Sequence, residues 1–226
     1  GRIDRAPLTL LGATAADRAY NGTTAAQIGA VAFAGLVGNE QLSATAAAAF
    51  TDANAGTGKL VSGNVTGLSD GASGGLAGNY VLRGSTAFTS RAAISPALLT
   101  VQGAVAADRA YDGSTATQIT SVSLGGLVGS EQLGVAAVGA FADANAGTGK
   151  VVNGIVGGLS NGANGGLASN YALSGNAFTT SATISPALLT VQHASAADRV
   201  YDGGAAAQGG AVTFGGLVGS EQLGFT

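Results

Sequence analysis

The feature that most constrains this chain is a repeat of about 90 residues. A segment reading Ala-Ala-Asp-Arg-Ala/Val-Tyr-Asp/Asn-Gly occurs three times, at 15–22, 106–113 and 196–203. Successive copies begin 91 and 90 positions apart. A near-constant interval of this length indicates one structural unit copied in tandem. The repeat motif comprises Asp17, Tyr20 and Gly22 in the first copy, Asp108, Tyr111, Asp112 and Gly113 in the second, and Asp198, Tyr201, Asp202 and Gly203 in the third.

The period predicts where the repeats begin and end. Pro96 and Pro186 occupy matching positions, and no Ser/Gly-rich linker follows either of them. A proline fixes φ, and a direct junction favours a stiff rod over flexibly linked beads. The predicted segments are the tail of a preceding repeat at 1–5, repeat 1 at 6–96, repeat 2 at 97–186, and the start of repeat 3 at 187–226.

The third segment is shorter than the other two. Half a β-sandwich leaves open strand edges and an uncovered apolar face. We therefore expect further repeats, in the same chain or in a neighbouring one, to complete the segment 187–226.

Within a repeat, apolar residues alternate with small or polar ones. Phe178, Ala182 and Ile184 share one parity, and Val151 and Ile155 share another. Alternation over four to eight residues is typical of half-buried strands, and the intervening Asp-Gly and Asn-Gly pairs suit tight turns. The pattern predicts an all-β chain of tandem immunoglobulin-like sandwiches in an elongated rod; a β-grasp-like unit and a solenoid-like continuous stack are the alternatives.

The segment 41–50 is ambiguous because it is rich in alanine. Its counterpart at 132–141 contains two glycines and two valines, and each glycine costs a helix about 1 kcal/mol. We predict a strand in both copies.

Composition excludes several classes of function. Charged residues make up 9% of the chain and the net charge is −3, which argues against a nucleic-acid partner or a polybasic membrane contact. Cysteine is absent, so disulfides, thiolate zinc sites and cysteine nucleophiles are excluded. No apolar run approaches the ~18 residues of a membrane span.

Four motifs recur in the same order in each full repeat. In the second they are Tyr111-Asp-Gly, the segment Asp-Ala-Asn-Ala-Gly-Thr-Gly-Lys at 143–150, Asn170-Tyr171 and Ile184-Ser-Pro. This set resembles the YDG/MBG-type repeats of large bacterial surface proteins, including filamentous-haemagglutinin-like adhesins. The resemblance implies β-rich modules of a secreted or cell-surface stalk that acts in adhesion, aggregation or a biofilm matrix.

Two functions from different classes follow. The first is a structural stalk or filament whose partners are further copies of the repeat, in cis or in neighbouring chains. The second is a module in each repeat that binds host or matrix glycans or another surface ligand, although aromatic residues are only 5% of the chain. An enzyme is not expected, because His193 is the only histidine and no nucleophile motif is present.

The recurring polar residues have candidate roles. The Asp-Gly pair is first a turn signature, and we expect Tyr111 to be a packed aromatic whose hydroxyl finds a backbone partner. The oxygen side chains before the Gly-Thr-Gly segment are weak calcium candidates, although a glycine-rich hairpin explains them better than an EF-hand loop. These candidates are Asp52, Asn54, Asp143 and Asn145.

Lysine occurs only as Lys59 and Lys150, at matching positions. A surface protein can cross-link a lysine to an Asn or Asp with help from a buried acid, and Glu40 and Glu131 also occur once per repeat. An intramolecular isopeptide bond is the less favoured interpretation; a solvated lysine on a turn is the simpler one. Calcium is the only cofactor for which the sequence offers candidate ligands.

Overall fold

The structure is a computed structural model that describes residues 1–224, and it is all-β, as predicted. Helical structure in this part of the chain is confined to two 3₁₀ turns of three residues each. The chain forms two compact units. Unit 1 comprises Gly1–Leu99, Gly126–Gly134 and Ser160–Ser174; unit 2 comprises Thr100–Gly125, Val135–Leu159 and, of the described residues, 175–224.

Seven strands form the first repeat. In chain order these are β1 (Ala6–Ala15), β2 (Arg18–Ala19), β3 (Ile28–Ala34), β4 (Leu42–Phe50), β5 (Gly56–Asp70), β6 (Tyr80–Arg83) and β7 (Ala87–Ser95), with the first 3₁₀ turn at Ala77–Asn79.

The first repeat lies wholly in unit 1 and builds two sheets. The smaller has the order β3-β1-β6, with β1 antiparallel to β3 and parallel to β6. The larger has the order β2-β7-β5-β4; β5 runs antiparallel to both neighbours, and β2 runs parallel to β7. Leu8, Leu42 and Tyr80 are buried together in one core cluster of this unit.

The second and third repeats contribute ten more strands. These are β8 (Ala97–Ala106), β9 (Arg109–Ala110), β10 (Ala116–Thr117), β11 (Ile119–Gly125), β12 (Leu133–Phe141), β13 (Gly147–Asn161), β14 (Tyr171–Leu173), β15 (Ala177–Ser185), β16 (Thr190–Ala196) and β17 (Gly209–Gly215), with the second 3₁₀ turn at Ala168–Asn170.

Unit 1 also contains the pairing that follows this 3₁₀ turn. There β14 runs parallel to the first residues of β8, with Tyr171 opposite Ala97 and Leu173 opposite Leu99. The pairing repeats that of β6 with β1, in which Tyr80 lies opposite Ala6. The Asn-Tyr motif therefore starts a short parallel strand in both full repeats.

Unit 2 contains a five-stranded sheet of order β10-β12-β13-β15-β9 and the hairpin-like pair β16-β17. Its core cluster contains Phe141, Val152 and Ile184, with Tyr111 and Ile119 packed against it. Apart from its additional strand β10, this sheet has the strand order of the larger sheet of unit 1, and β15 likewise runs antiparallel to β13 and parallel to β9.

The structure confirms the strand prediction for 41–50 and its counterpart 132–141, because β4 and β12 lie within these segments. The inward parity of β15 is also as predicted, because Ala182 and Ile184 are buried. On β13, however, Val152 and Val156 are buried, whereas Val151 and Ile155 are each 47% exposed. Both parities of that strand are apolar, so alternation could not identify its inner face.

Residues 1–224 contain no helix long and apolar enough to cross a membrane. The repeat limits drawn from the sequence remain predictions.

Candidate functional site: the joint between successive repeats

Hydrogen bonds fix the Tyr-Asp-Gly-type motif to the end of the larger sheet. The carboxylate of Asp17 accepts a hydrogen bond from the Ala93 N–H at 2.6 Å, and Tyr20 N–H donates to the Ser95 carbonyl at 2.8 Å. In unit 2, Asp108 accepts from Thr183 N–H, also at 2.6 Å. The first aspartate of the motif therefore anchors the segment to β7 or β15 and sets the position of the tyrosine.

An arginine closes the turn that follows the tyrosine. The guanidinium of Arg18 lies 5.2 Å from the centre of the Phe50 ring and donates to Asn21 and to the Thr23 carbonyl. Gly22 has φ +76°, a left-handed conformation that suits glycine. The arginine and the glycine together close the turn that follows Tyr20.

The Tyr20 hydroxyl donates to Glu131 Oε1 at 2.6 Å, and the two residues are 111 positions apart. The other carboxylate oxygen of Glu131 accepts from the Tyr171 hydroxyl at 2.7 Å. The two rings meet edge to face, with centroids 5.5 Å apart and an interplanar angle of 78°. One carboxylate therefore binds a tyrosine from each of two successive repeats, and all three residues belong to unit 1.

The turn 128–131 holds the carboxylate in place. Glu131 N–H donates to the Val128 carbonyl at 3.1 Å, and Val128 N–H donates to the Tyr171 hydroxyl oxygen at 3.0 Å. The Tyr171 hydroxyl is therefore both donor and acceptor. A Cβ at Gly22 would lie 3.1 Å from a methyl group of Val128, so the motif glycine allows the corner to approach this turn closely.

Asn170 makes a second contact between the repeats. Its side-chain oxygen accepts from Ala55 N–H at 2.8 Å, and its amide nitrogen donates to Asn54 Oδ1 at 3.0 Å. Asn170 is fully buried, and a buried amide needs such partners. Below, the joint means Tyr20, Asn54, Ala55, Val128, Glu131, Asn170 and Tyr171.

The joint keeps its tyrosines protonated. Burial, followed by the hydrogen bond to Glu131 and its charge, raises the pKa of Tyr171 to about 12. Burial and the same carboxylate also raise the pKa of Tyr20. Both phenols are therefore neutral hydrogen-bond donors across the physiological pH range.

The same elements recur elsewhere in the chain. In the first repeat, Tyr80 donates to Glu40, and Val37 N–H donates to the Tyr80 hydroxyl oxygen at 3.1 Å. In unit 2, the Tyr111 hydroxyl donates to Glu221, as Tyr20 does to Glu131. The third motif tyrosine, Tyr201, is 91% exposed.

The remaining residues of the third motif hold only their own turn. Arg199 pairs with Asp202, and Gly204 N–H donates to the Asp202 carboxylate at 2.9 Å. Gly203 has φ +81°, like its counterparts in the other copies. Asp112 similarly accepts from Ser114 N–H at 2.8 Å, and its bond to Arg109 lowers its pKa to about 2. The second Asp of the motif therefore stabilises a turn, as its spacing before Gly113 predicts.

The calcium candidates lie on the hairpin loop between β4 and β5 and on its counterpart. Asp52 accepts from Asn54 N–H at 2.9 Å and from Lys59 Nζ at 2.6 Å, while the side-chain oxygen of Asn54 belongs to the joint. Asp143 and Asn145 form the equivalent turn. Across residues 1–224, no cluster of three or more acidic or histidine side chains could hold a metal ion. Calcium binding remains a prediction.

The two lysines lie beside aspartates. Lys150 Nζ is 2.6 Å from Asp143 Oδ1, matching the first pair, and the lysine lowers the pKa of Asp143. Amide formation from an aspartate requires a neutral carboxyl group, and this ion pair favours the charged form of Asp143. Glu40, proposed as the assisting acid, instead accepts from Tyr80. The isopeptide bond remains an untested prediction.

Two residues of the joint, Glu131 and Asn170, were not assigned to a contact between repeats from the sequence. The expectation that the motif tyrosine would bond to backbone was wrong, because the hydroxyls of Tyr20 and Tyr111 donate to glutamates of the following copy. The sequence marks Asn170 only as part of the recurring Asn-Tyr pair. The available signal was that Glu131 and Asn170 each have a counterpart of identical type in the first repeat, at Glu40 and Asn79.

Fold and joint together define a tandem β-repeat protein whose copies are connected by buried polar contacts. The YDG domain family model matches the chain twice, at residues 4–88 and 95–181. The chain therefore belongs to the YDG domain family and carries two matched copies of the domain. Searches of curated proteins and of solved structures gave no match.

Proposed function

We propose that this chain is a stretch of structural stalk from a secreted bacterial surface adhesin or extracellular fibre, with roles in adhesion, aggregation or a biofilm matrix. The observation that carries the proposal is the joint, in which Glu131 binds Tyr20 and Tyr171 from two successive copies. A buried joint resists bending more than a flexible linker does, because bending must break its hydrogen bonds and expose its rings.

The connection between copies supports the same proposal. A single residue, Pro96, separates β7 from β8, so the chain passes directly from one copy into the next. We propose that immunoglobulin-like sandwiches connected in this way form an elongated rod, whose mechanical strength comes from strand ladders and contacts between neighbouring repeats.

Electron microscopy of the 226-residue chain and surface labelling of cells test the two parts of this proposal. Elongated particles of uniform width are expected, and round particles would contradict the rod. An antibody against the chain should label intact cells that express the protein. Labelling only after the cells are permeabilised would contradict a surface location.

A second candidate, a glycan-binding module, has one observation in its favour. A shallow hollow lies at the same place in both full repeats, over Gly63 and Phe88 in the first and over Gly154 and Phe178 in the second. Its lining in the second repeat includes the apolar side chains Val138 and Ile155 beside Thr179. Its aromatic residue, Phe178, is half-buried, which leaves little ring surface on which a sugar could stack. A glycan array decides: saturable binding would favour this function over a passive stalk.

A further inference from the structure

The joint brings two tyrosines of different repeats into direct contact. The rings of Tyr20 and Tyr171 meet edge to face, with their centroids 5.5 Å apart. Among residues 1–224, they form the one stacked or edge-to-face aromatic pair. Such contacts stabilise many protein cores, but this pair also shares a hydrogen-bond partner, which gives it a chemistry of its own.

Both hydroxyl groups end on the same carboxylate. Tyr20 donates to Glu131 Oε1 at 2.6 Å, and Tyr171 donates to Glu131 Oε2 at 2.7 Å. A carboxylate in this position can accept the phenolic proton while an electron leaves the ring, which makes one-electron oxidation of the phenol easier. Oxidised phenols couple through the carbons next to the hydroxyl-bearing carbon, the ortho carbons, and the shared carboxylate holds both hydroxyl ends of the rings together.

The other two glutamate-bound tyrosines do not have this arrangement. Tyr80 and Tyr111 each donate to a separate glutamate, and within the described part of the chain neither has a second tyrosine ring beside it. Tyr20 and Tyr171 are moreover only 7% and 5% exposed. A radical formed at either ring is shielded from water and from other chains, so the neighbouring ring is its nearest reaction partner.

We propose that Tyr20 and Tyr171 form an oxidative cross-linking site, at which a diffusible one-electron oxidant, such as a radical derived from peroxide, joins the two rings. One oxidant molecule takes an electron from one phenol, whose proton passes to Glu131, and a neutral tyrosyl radical remains. After Glu131 has released this proton to water, a second oxidant molecule oxidises the other tyrosine in the same way.

The two radicals combine by forming one carbon–carbon bond between their ortho carbons. The terminal torsion of a tyrosine side chain is soft, which allows an edge-to-face ring to turn until these carbons meet. The hydrogens of the two ortho carbons then move to the oxygens and restore both hydroxyl groups. In sum, two oxidant molecules gain one electron each, two protons go to water, and the chain becomes lighter by two hydrogen atoms. The product, dityrosine, is a covalent bond between two repeats.

Photo-oxidation of the folded full chain with tris(bipyridine)ruthenium and persulfate tests the proposal. The chain carries Tyr201→Phe, because Tyr201 is 91% exposed and would link separate molecules. Trypsin places every tyrosine in a different peptide, since a lysine or an arginine lies between each tyrosine and the next. We expect dityrosine fluorescence, an intact mass lower by two hydrogen atoms, and one linked pair of peptides, 19–59 with 151–199.

Matched variants separate this site from general oxidation. Tyr171→Phe should abolish the link, whereas Tyr80→Phe, which removes another glutamate-bound phenol, should leave its yield unchanged. Glu131→Gln keeps the size of the side chain but removes the proton acceptor, and it should slow formation of the link about tenfold or more.

Oxidation in urea above the unfolding midpoint requires no variant and should remove the preference for this pair. An equal yield of other tyrosine pairs, the same yield in the unfolded chain, or oxidised tyrosines without a link would overturn the proposal. None of these results would affect the proposed stalk, which depends on the hydrogen bonds of the joint and is tested by microscopy and surface labelling.

Discussion

The buried asparagine of the joint permits a sharp comparison, because the first repeat carries its counterpart in a different environment. Asn170 is fully buried and bonds to Ala55 and Asn54. Asn79 occupies the same position in the first repeat but is exposed, and its side chain makes no hydrogen bond within residues 1–224. Asn170→Ala and Asn79→Ala therefore delete the same atoms from two different environments.

The structure gives the size of the expected difference. Asn170→Ala removes two hydrogen bonds worth about 1 kcal/mol each and leaves the half-buried Ala55 N–H without its acceptor, so we expect a loss of about 2–3 kcal/mol in the free energy of unfolding. Asn79→Ala should change it by less than about 0.5 kcal/mol, as is usual for surface substitutions.

Urea denaturation of the full chain measures both variants, and hydrogen exchange localises the effect. The Ala55 amide should exchange faster in Asn170→Ala than in the unaltered chain, and its exchange rate should be unchanged in Asn79→Ala. Equal midpoints for the two variants, or unaltered protection of Ala55, would refute the claim that this asparagine connects two repeats.

Three further outcomes follow. Folding raises the pKa of Tyr171 from about 10 to about 12. The contribution of the protonated Tyr171 phenol to stability should therefore be complete below pH 10 and disappear as the pH rises from 10 to 12. Ultraviolet titration of the phenols checks this, and ionisation of every tyrosine near pH 10 would contradict it. Gly63→Ala would place a Cβ 2.6 Å from the Phe88 ring, so it should lower the free energy of unfolding by about 1–3 kcal/mol. Gly12→Ala is the control: the space around Gly12 is open, and the same urea denaturation should show no change. Because Lys59 forms an ion pair with Asp52, we expect the intact mass to equal the sequence mass; the loss of one ammonia or one water per repeat would establish the cross-link instead.

The local features of the fold could be predicted from the sequence. The period, the turns and the strand character of 41–50 follow from spacing, glycine placement and the cost of glycine in helices. The inner face of β13 could not be predicted, because Val151 and Val152 are equally apolar and only the packed partner decides which is buried.

The joint could be predicted only in part. Recurrence identified Tyr20 and its turn, since both belong to a short contiguous motif. Its partner Glu131 lies 111 positions away in another copy, and no local pattern specifies a contact of that range. The hairpin loop resembled an ion site because Asn54 and its neighbours carry oxygen atoms, whose hydrogen-bond partners become visible only in three dimensions.

The parallel strands were also outside local prediction. The pairing of β14 with β8 brings together residues more than 70 positions apart, and alternation within a strand does not reveal the direction of its neighbour. The recurring Asn-Tyr pair marks where such a strand starts, a relation that becomes evident only when Tyr80 and Tyr171 are compared in the structure.

The central claim is that the motif tyrosine of one copy is energetically coupled to the glutamate of the next. A double-mutant cycle with Tyr20→Phe and Glu131→Ala, measured as the free energy of unfolding of the full chain, tests it most directly. We expect a coupling of about 1.5–3 kcal/mol, as for a hydrogen bond to a charged group. Tyr201→Phe combined with Glu131→Ala is the control and should be additive. Additivity of the Tyr20 and Glu131 variants within about 0.5 kcal/mol would contradict the account.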